Sequence, residues 1–461
     1  METVLVIGGG ITGLSAMYEL QKQMKKQKRK IRLILAEASS SFGGKIRTVK
    51  EEGFIMEAGA DSIVARKLSD SGLLKELGLE EHTVYNAVGT SYLYTEEGLK
   101  QIPREAVFGI PASIRSLAET TLLSAEGKVE ALKDYYLNDR QFTEDDSIGD
   151  FLEYYLGKEL VEKQIAPVLS GVYSGSLYNL TIGSTLPYVL QYKEKYGSIM
   201  KGIEANKEQF IRDGDKKFLS FADGLSTIAQ TIVEKLTDVE LLLEHEVVQI
   251  DKIDKNMYQV HFQNGQMIEA NSIILSIPHT EASRLLNNEQ IQEIFSNLKA
   301  SSLISVYLGY SIPDEALPEN GTGYLAPNAE DLYCNACTWT SRKWKHTSTI
   351  GNLLVRLFYK SSHPKYSVIR DMNTDELLKI ARNDIEKSLG ITEEPVVCEV
   401  TKWTNQMPTY QINHPKVVDS LEKRVQEYYP GVYLAGCSYY GVGIPDCIEN
   451  GIDVAREIIG E

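Results

Sequence analysis

Gly8, Gly10 and Gly13 stand in the spacing G-x-G-x-x-G, directly after the apolar run Val4 to Ile7. A second apolar run, IRLILAE, ends at Glu37. Glycines between a strand and a helix, with an acid at the end of the next strand, form a grouping that holds a dinucleotide. Gly8 permits a tight turn, Gly10 lets the backbone approach a diphosphate, and Gly13 lets helix and strand pack closely. Gly9, Ile11 and Thr12 complete the turn, where free N–H groups and the helix dipole favour an anion. Glu37, followed by Ala38, can accept hydrogen bonds from ribose hydroxyls and would repel a 2′-phosphate, which excludes NADP.

Two more glycine turns follow, Gly43-Gly44-Lys45 and Gly59-Ala60-Asp61-Ser62. A nicotinamide domain needs neither. A flavin cofactor is longer and must be wrapped along its ribityl chain and ring. Lys45 and Arg47 supply cations beside it. Near the C-terminus, the short apolar strand GVYLAG ends at Gly436. A glycine loop with Val442 and Gly443 then leads into a helix, where Pro445 suits the first turn and Asp446 complements the positive helix end.

Other chemistry-bearing residues point elsewhere. Cys334-x-x-Cys337 has metal-ligand spacing, but a strand through both would turn the thiols to opposite faces, and no second such pair occurs. The seven histidines show no ligand spacing. No metal is expected. Tyr173, flanked by Gly171 and Gly175, is a candidate cavity residue.

These groups need elements to carry them. The N-terminus reads as strand, helix, strand. Gly53 to about Ala87 reads as a helix with short loops, and about Glu105 to Tyr196 as mainly helical, broken at Pro111, Pro167 and Pro187. A helix over FADGLSTIAQTIVEKL precedes EVVQI and MYQVHF, then QMIEA after a hairpin turn at Asn264-Gly265. SIILSIP reads as a buried strand ending at Pro278. Ser302 to Val400 reads as an antiparallel sheet with helices. The basic run Lys22 to Lys30 reads as the solvated end of the first helix.

With 461 residues the chain exceeds one simple core and implies two or three structural units. Its 48 basic and 64 acidic residues give a net charge of −16, which argues against nucleic acid as a partner. No apolar run reaches the length of a membrane span, and the N-terminus lacks the features of a signal peptide. The five cysteines fit reduced thiols in a cytoplasm better than a disulfide framework.

The glycine turns, with PVLSGVYSG, CTWTSRKW, TKWTNQMPTY and GVGIPDCIENG, resemble the amine-oxidase-like flavoproteins over essentially the whole length. Within that group the chain is most similar to the porphyrinogen oxidases of haem biosynthesis, of the single-chain HemY type found in Gram-positive bacteria. Many relatives carry Arg where this chain has Lys45. The resemblance implies an α/β fold, with a Rossmann-like FAD-binding domain of the glutathione-reductase type, an antiparallel-sheet substrate domain and a helical insertion. The FAD domain would take residues 1–75, 218–285 and 403–461. The substrate domain would take 76–100, 196–217 and 286–402, and the insertion 101–195.

The resemblance further implies non-covalent FAD, with Val247 meeting the adenine and Trp403 near the flavin. The loop from Gly436 through Val442, Gly443 and Ile444 would lie at the flavin's pyrimidine edge. It also implies oxidation of coproporphyrinogen III to coproporphyrin III by O2, with hydrogen peroxide released and a transient handover to a ferrochelatase. Protoporphyrinogen IX is the alternative substrate, and amine oxidation or carotenoid desaturation the alternative chemistry. The chain would be cytoplasmic, with at most peripheral membrane contact. The flavin carries the hard step, so no firm catalytic acid or base is assigned. Arg66 and Lys67 are candidate cations for the substrate's propionates, with Lys67 also a weak catalytic candidate. Met407 and Tyr410 are candidate substrate contacts.

Overall fold

The structure, a computed structural model, describes the chain apart from residues 88, 104, 173–175, 212–216, 319, 328, 412 and 461. At its centre lies a five-stranded parallel sheet in the order Glu240–Leu242, Arg32–Ala36, Thr3–Ile7, Ser272–Leu275, Val432–Leu434. The strand Thr3–Ile7 is buried on both faces, as its unbroken apolar run requires. Val4 and Val6 pack into one core with the helices Ile11–Gln27 and Ile444–Ile459. Leu5 and Ile7 pack into a second, with a three-stranded antiparallel sheet (Val247–Asp254, Met257–Phe262, Met267–Ala270) and the helix His414–Tyr428. Asn264-Gly265 makes the second turn of that small sheet, with Gly265 at φ +85°.

The first and last helices touch closely. A Cβ on Gly451 would lie 2.4 Å from the Thr12 carbonyl oxygen. The two ends of the chain therefore meet at one place, beside the glycine turn.

A seven-stranded sheet forms the second unit, in the order Val397–Thr409, Lys299–Pro313, Asn352–Lys360, Ala336–Trp339, Gly321–Leu325, Thr90–Thr95, Gly98–Gln101. All neighbours are antiparallel except Gly321–Leu325 with Thr90–Thr95. Trp403 sits inside the strand Val397–Thr409, so the chain leaves this sheet several residues later than the expected boundary at 402/403. The third unit is helical and has its own core, from Ile110 through Phe151, Leu160 and Ile182 to Ile203. That core passes residue 195. Buried Asp134 ties its later helices together by accepting from Ser198 Oγ at 2.5 Å and from the backbone N–H groups of Ile199 and Met200 at 2.9 Å.

Three sequence expectations change. Residues after Gly53 begin with a strand, Phe54–Glu57, paired with Thr48–Glu51, and not with a helix. Glu52 and Gly53, both at positive φ, form the tight turn that joins them. The strand Ser272–Leu275 stops before Pro278, and Ser276 to Pro278 form a loop. Cys334 precedes the strand Ala336–Trp339, so strand alternation does not separate it from Cys337. Both thiols are buried near the Tyr324 phenol, and burial raises both pKa values.

Candidate functional site

A parallel sheet aligns its strand ends and leaves a crevice at their C-terminal side. Here that crevice is a cavity of about 930 Å³. It is walled at Ile7, Ala36 and Ala435 by the strand ends, and at Ser276, Ile277 and Pro278 by the loop after Leu275.

The glycine turn forms one side. Gly8 adopts φ +105°, and a Cβ on Gly13 would lie 2.0 Å from the Gly8 carbonyl oxygen. Gly10 differs: it has extended backbone, and a Cβ there would meet nothing within 4 Å. Its bare Cα borders the cavity, beside Ile11 and Thr12. The helix Ile11–Gln27 and the helix Ile444–Ile459 both start at this cavity, and neither first turn has a side-chain cap. Their free N–H groups and dipoles make it favourable for an anion.

Glu37 stands beside the turn. Its Oε2 accepts from the Gly9 N–H at 2.7 Å, and its Oε1 accepts from the Ser39 N–H at 2.9 Å and from Ser39 Oγ at 2.7 Å. A carboxylate has about four acceptor sites, so capacity is left for a ribose. Ala38 and Val247 line the same end. Arg284 holds that end in shape by donating to the carbonyls of Val247 at 3.1 Å and Val248 at 3.2 Å.

Gly43 and Gly44 dock onto the first turn, with the Gly43 N–H donating to the Gly9 carbonyl at 2.8 Å. Lys45 lines the cavity with its Nζ 3.8 Å from Cys437 Sγ. Arg47 also lines it, but Glu399 and Thr401 hold its guanidinium at 2.7 Å and 3.1 Å. Gly59 and Ala60 reach the wall. Asp61 and Ser62 do not line it. The Asp61 carboxylate pairs with Arg356 at 3.6 Å and Lys343 at 4.0 Å, and Ser62 Oγ donates to it at 2.8 Å. Burial pushes the Asp61 carboxyl up, but Lys343 and Arg356 outweigh it and hold the pKa below the usual range.

Leu303, Trp403, Met407, Gly436, Val442 and Ile444 complete the lining, Gly436 beside Thr12. Trp403 Nε1 donates to the Ala58 carbonyl at 3.1 Å, which fixes its ring. Gly9, Gly13 and Gly443 do not line the cavity. Tyr410 is tied to the backbone: its hydroxyl donates to the Cys437 carbonyl at 2.7 Å and accepts from the Gly441 N–H at 2.7 Å. It therefore positions the C-terminal loop. Lys67 pairs with Asp446 at 2.6 Å, and Arg66 with Asp70 at 3.8 Å on an exposed helix face. Tyr173 lies outside the described residues. Sequence reasoning missed Arg284, Arg356 and the loop Ser276–Pro278. Only the last had a signal, its place after a buried parallel strand.

Behind the cavity, Glu57 accepts from the Leu225 N–H and from Thr48 Oγ1, both at 2.8 Å. Burial pushes its carboxyl up to about 7, against those hydrogen bonds and Arg356. Its folded pKa exceeds the unfolded one, so its stabilisation is full below about 4.5 and is lost as pH rises through about 7. Between pH 5.5 and 8 the wild type should lose roughly 2 kcal/mol more than Glu57→Gln. Parallel denaturant-midpoint profiles for the two proteins would contradict this.

The residues present fit a flavin dinucleotide. The cavity is open at Gly10, where a diphosphate must approach. It has an acceptor at Glu37 for a ribose and an aromatic and apolar wall at Trp403 and Leu303.

Comparison with known proteins agrees. The sequence pattern of flavin containing amine oxidoreductases matches residues 11–459. The chain is 34% identical to a coproporphyrinogen III oxidase of Bacillus subtilis, over 97% of this chain and 96% of the relative. It is 29% identical to one of Staphylococcus aureus, over 100% and 99%. A crystal structure of a candidate protoporphyrinogen oxidase from Exiguobacterium superposes with a TM-score of 0.91 at 29% identity, covering 100% of this chain and 99% of that one.

Proposed function

The chain belongs to the flavin-containing amine oxidoreductases, and from that membership we propose that it is a coproporphyrinogen III oxidase of haem biosynthesis. Its cofactor is FAD, held without a covalent bond. The substrate assignment rests on full-length likeness to coproporphyrinogen III oxidases. The chemistry rests on one observation, a cavity built by three distant stretches where two uncapped helix N-termini converge.

Bound FAD supplies the electron acceptor for each two-electron oxidation of the porphyrinogen, and O2 takes the electrons on as hydrogen peroxide. The protein's own part is binding, orientation and exclusion of water. Gly10, Ile11 and Thr12 would hold the diphosphate through backbone N–H groups, and Glu37 the ribose hydroxyls. Gly44, Lys45, Gly59 and Ala60 would flank the ring side. The N-terminus of the helix Ile444–Ile459 would favour negative charge gathered next to it. Trp403, Leu303 and Met407 make that end apolar. No acid or base is needed to activate the substrate, because its bridging C–H bonds are already activated by the adjoining pyrroles.

Lys67 and Arg66 already have acidic partners on the protein. Lys217, with its Nζ 5.7 Å from the Phe218 ring, would offer a further cation for the substrate's carboxylates, whereas Lys343, 5.8 Å from the same ring, shares its charge with Asp61. Among the described residues no helix is long and apolar enough to cross a membrane. We place the protein in the cytoplasm, with product passed briefly to a ferrochelatase.

The test is a side-by-side assay on coproporphyrinogen III and protoporphyrinogen IX. Fluorescent coproporphyrin should form faster, with three equivalents of peroxide per macrocycle as the six-electron balance requires. A faster rate on protoporphyrinogen IX would overturn the substrate assignment, and porphyrin formation without peroxide would overturn the oxidase assignment.

A further inference from the structure

Two cysteines belong to the cavity wall, yet flavin binding and porphyrinogen oxidation use neither. Cys437 follows Gly436 in the loop between the last strand and the last helix, and Cys447 lies in the first turn of that helix. Lys45 Nζ stands 3.8 Å from Cys437 Sγ. Cys447 Sγ faces the Gly441 carbonyl at 3.5 Å, and Cys437 packs against the apolar cluster to which Cys447 belongs. Tyr410 clamps the loop between them through the Cys437 carbonyl and the Gly441 N–H. Two thiols, one cation and a fixed loop are thus gathered at one open wall.

We propose that Cys437 and Cys447 form a peroxide-responsive thiol pair in the wall of the cofactor cavity, with Cys437 the sulfur attacked and Cys447 the one that closes a disulfide on it. Several features support this. Reactive cysteines sit in electropositive, partly accessible places. Cys437 is half-buried, faces the cavity and has Lys45 and a helix N-terminus beside it. The neighbouring Cys447 thiol and the Lys45 charge hold the Cys437 thiol below its ordinary pKa, against desolvation. Cys437 and burial together raise Cys447, which keeps it protonated until it is needed. Burial raises Cys334, Cys337 and Cys398 and leaves them unreactive by comparison.

The chemistry balances. The Cys437 thiolate attacks one peroxide oxygen, so that an S–O bond forms, the O–O bond breaks and the leaving hydroxide takes a proton as water. The Cys447 thiol then gives up its proton as its sulfur attacks Cys437. The S–S bond forms, the S–O bond breaks and a second water leaves. Two thiols and one hydrogen peroxide become one disulfide and two waters. That the enzyme itself supplies the peroxide rests on the proposed oxidase reading. The pair's reactivity does not.

Both cysteines fall in one tryptic peptide, 425–456, between Arg424 and Arg456. FAD-loaded protein would be exposed to added hydrogen peroxide at neutral pH, alkylated, digested and weighed. In the wild type this peptide should lose two hydrogens and escape alkylation, on the order of tenfold faster than Cys398 oxidises. Dithiothreitol should reverse the change. Cys447→Ser should stop at a sulfenic acid on Cys437 that dimedone captures, and Cys437→Ser should show neither product. Full alkylation of both thiols in wild-type protein whose Cys398 has oxidised would overturn the proposal. Disulfide formation in added peroxide, but none during porphyrinogen turnover, would uphold the pair and count against peroxide release by the enzyme.

Discussion

Gly10→Val should fold as the wild type does and yet purify almost colourless. Gly10 has φ −71° and ψ 176°, extended backbone that any residue adopts. A Cβ there meets no atom within 4 Å, so the fold has no objection to a side chain. The added methyl groups would project into the cavity at the start of the first helix, where a diphosphate has to reach backbone N–H groups. Affinity for FAD should fall at least about 100-fold, equivalent to roughly 3 kcal/mol. Flavin content on purification and FAD titration of the apoprotein measure this, with thermal unfolding of the apo forms as the control for folding. Gly13→Ala should fail in the opposite way. Its Cβ would lie 2.0 Å from the Gly8 carbonyl oxygen, so the first helix could not seat on its strand. A Gly10→Val protein that retains one FAD per chain would show that the dinucleotide lies elsewhere.

Arg356→Met should destabilise the protein and loosen its flavin together. Arg356 is only 2% exposed. Its Nε donates to Ser305 Oγ at 2.7 Å, its Nη2 to the Gly59 carbonyl at 2.8 Å, and its Nη1 faces Asp61 at 3.6 Å. One guanidinium thus fastens the seven-stranded sheet to the glycine turn in the cavity wall. Met fills similar volume but leaves Asp61 with only Lys343 among the described cations near it, and strips the Gly59 carbonyl of that donor. Breaking a buried pair from one side costs about 3–5 kcal/mol, and the partial exposure of Asp61 brings the expected loss to roughly 3 kcal/mol. Denaturant unfolding with a parallel FAD titration reads both effects. Arg356→Lys should fall between, because it keeps the charge and loses the fork. A loss under about 0.5 kcal/mol in Arg356→Met would remove the clamp from the account.

These two residues mark how far the sequence could be read. Gly10 belongs to a local pattern of strand, turn and helix, and such patterns carry their geometry with them. The central sheet, the Asn264-Gly265 turn and the cavity positions of Glu37, Gly44, Gly59 and Gly436 were legible on that ground. Arg356 meets Gly59 across 297 positions of sequence, and Lys45 meets Cys437 across 392. Nothing in the local composition around either residue announces its partner. The same holds for Tyr410, whose Met- and aromatic-containing surroundings suggested a substrate contact, whereas its hydroxyl is committed to the C-terminal loop. Lys67 is similar, because its partner Asp446 is 379 positions away. Cations close to a glycine turn look available in sequence until the fold supplies their acids. Residues after Gly53 were misread for a local reason. Phe54 to Glu57 is too short a run for apolar spacing to separate strand from helix, and the Glu52-Gly53 turn was the signal that decided it.

The most direct measurement mixes FAD-loaded protein with one equivalent of coproporphyrinogen III in the absence of oxygen and follows the flavin's visible absorbance. The yellow band should bleach as the porphyrinogen is oxidised and return when oxygen is admitted. A band unchanged by coproporphyrinogen III, in protein shown to hold one FAD per chain, would contradict it.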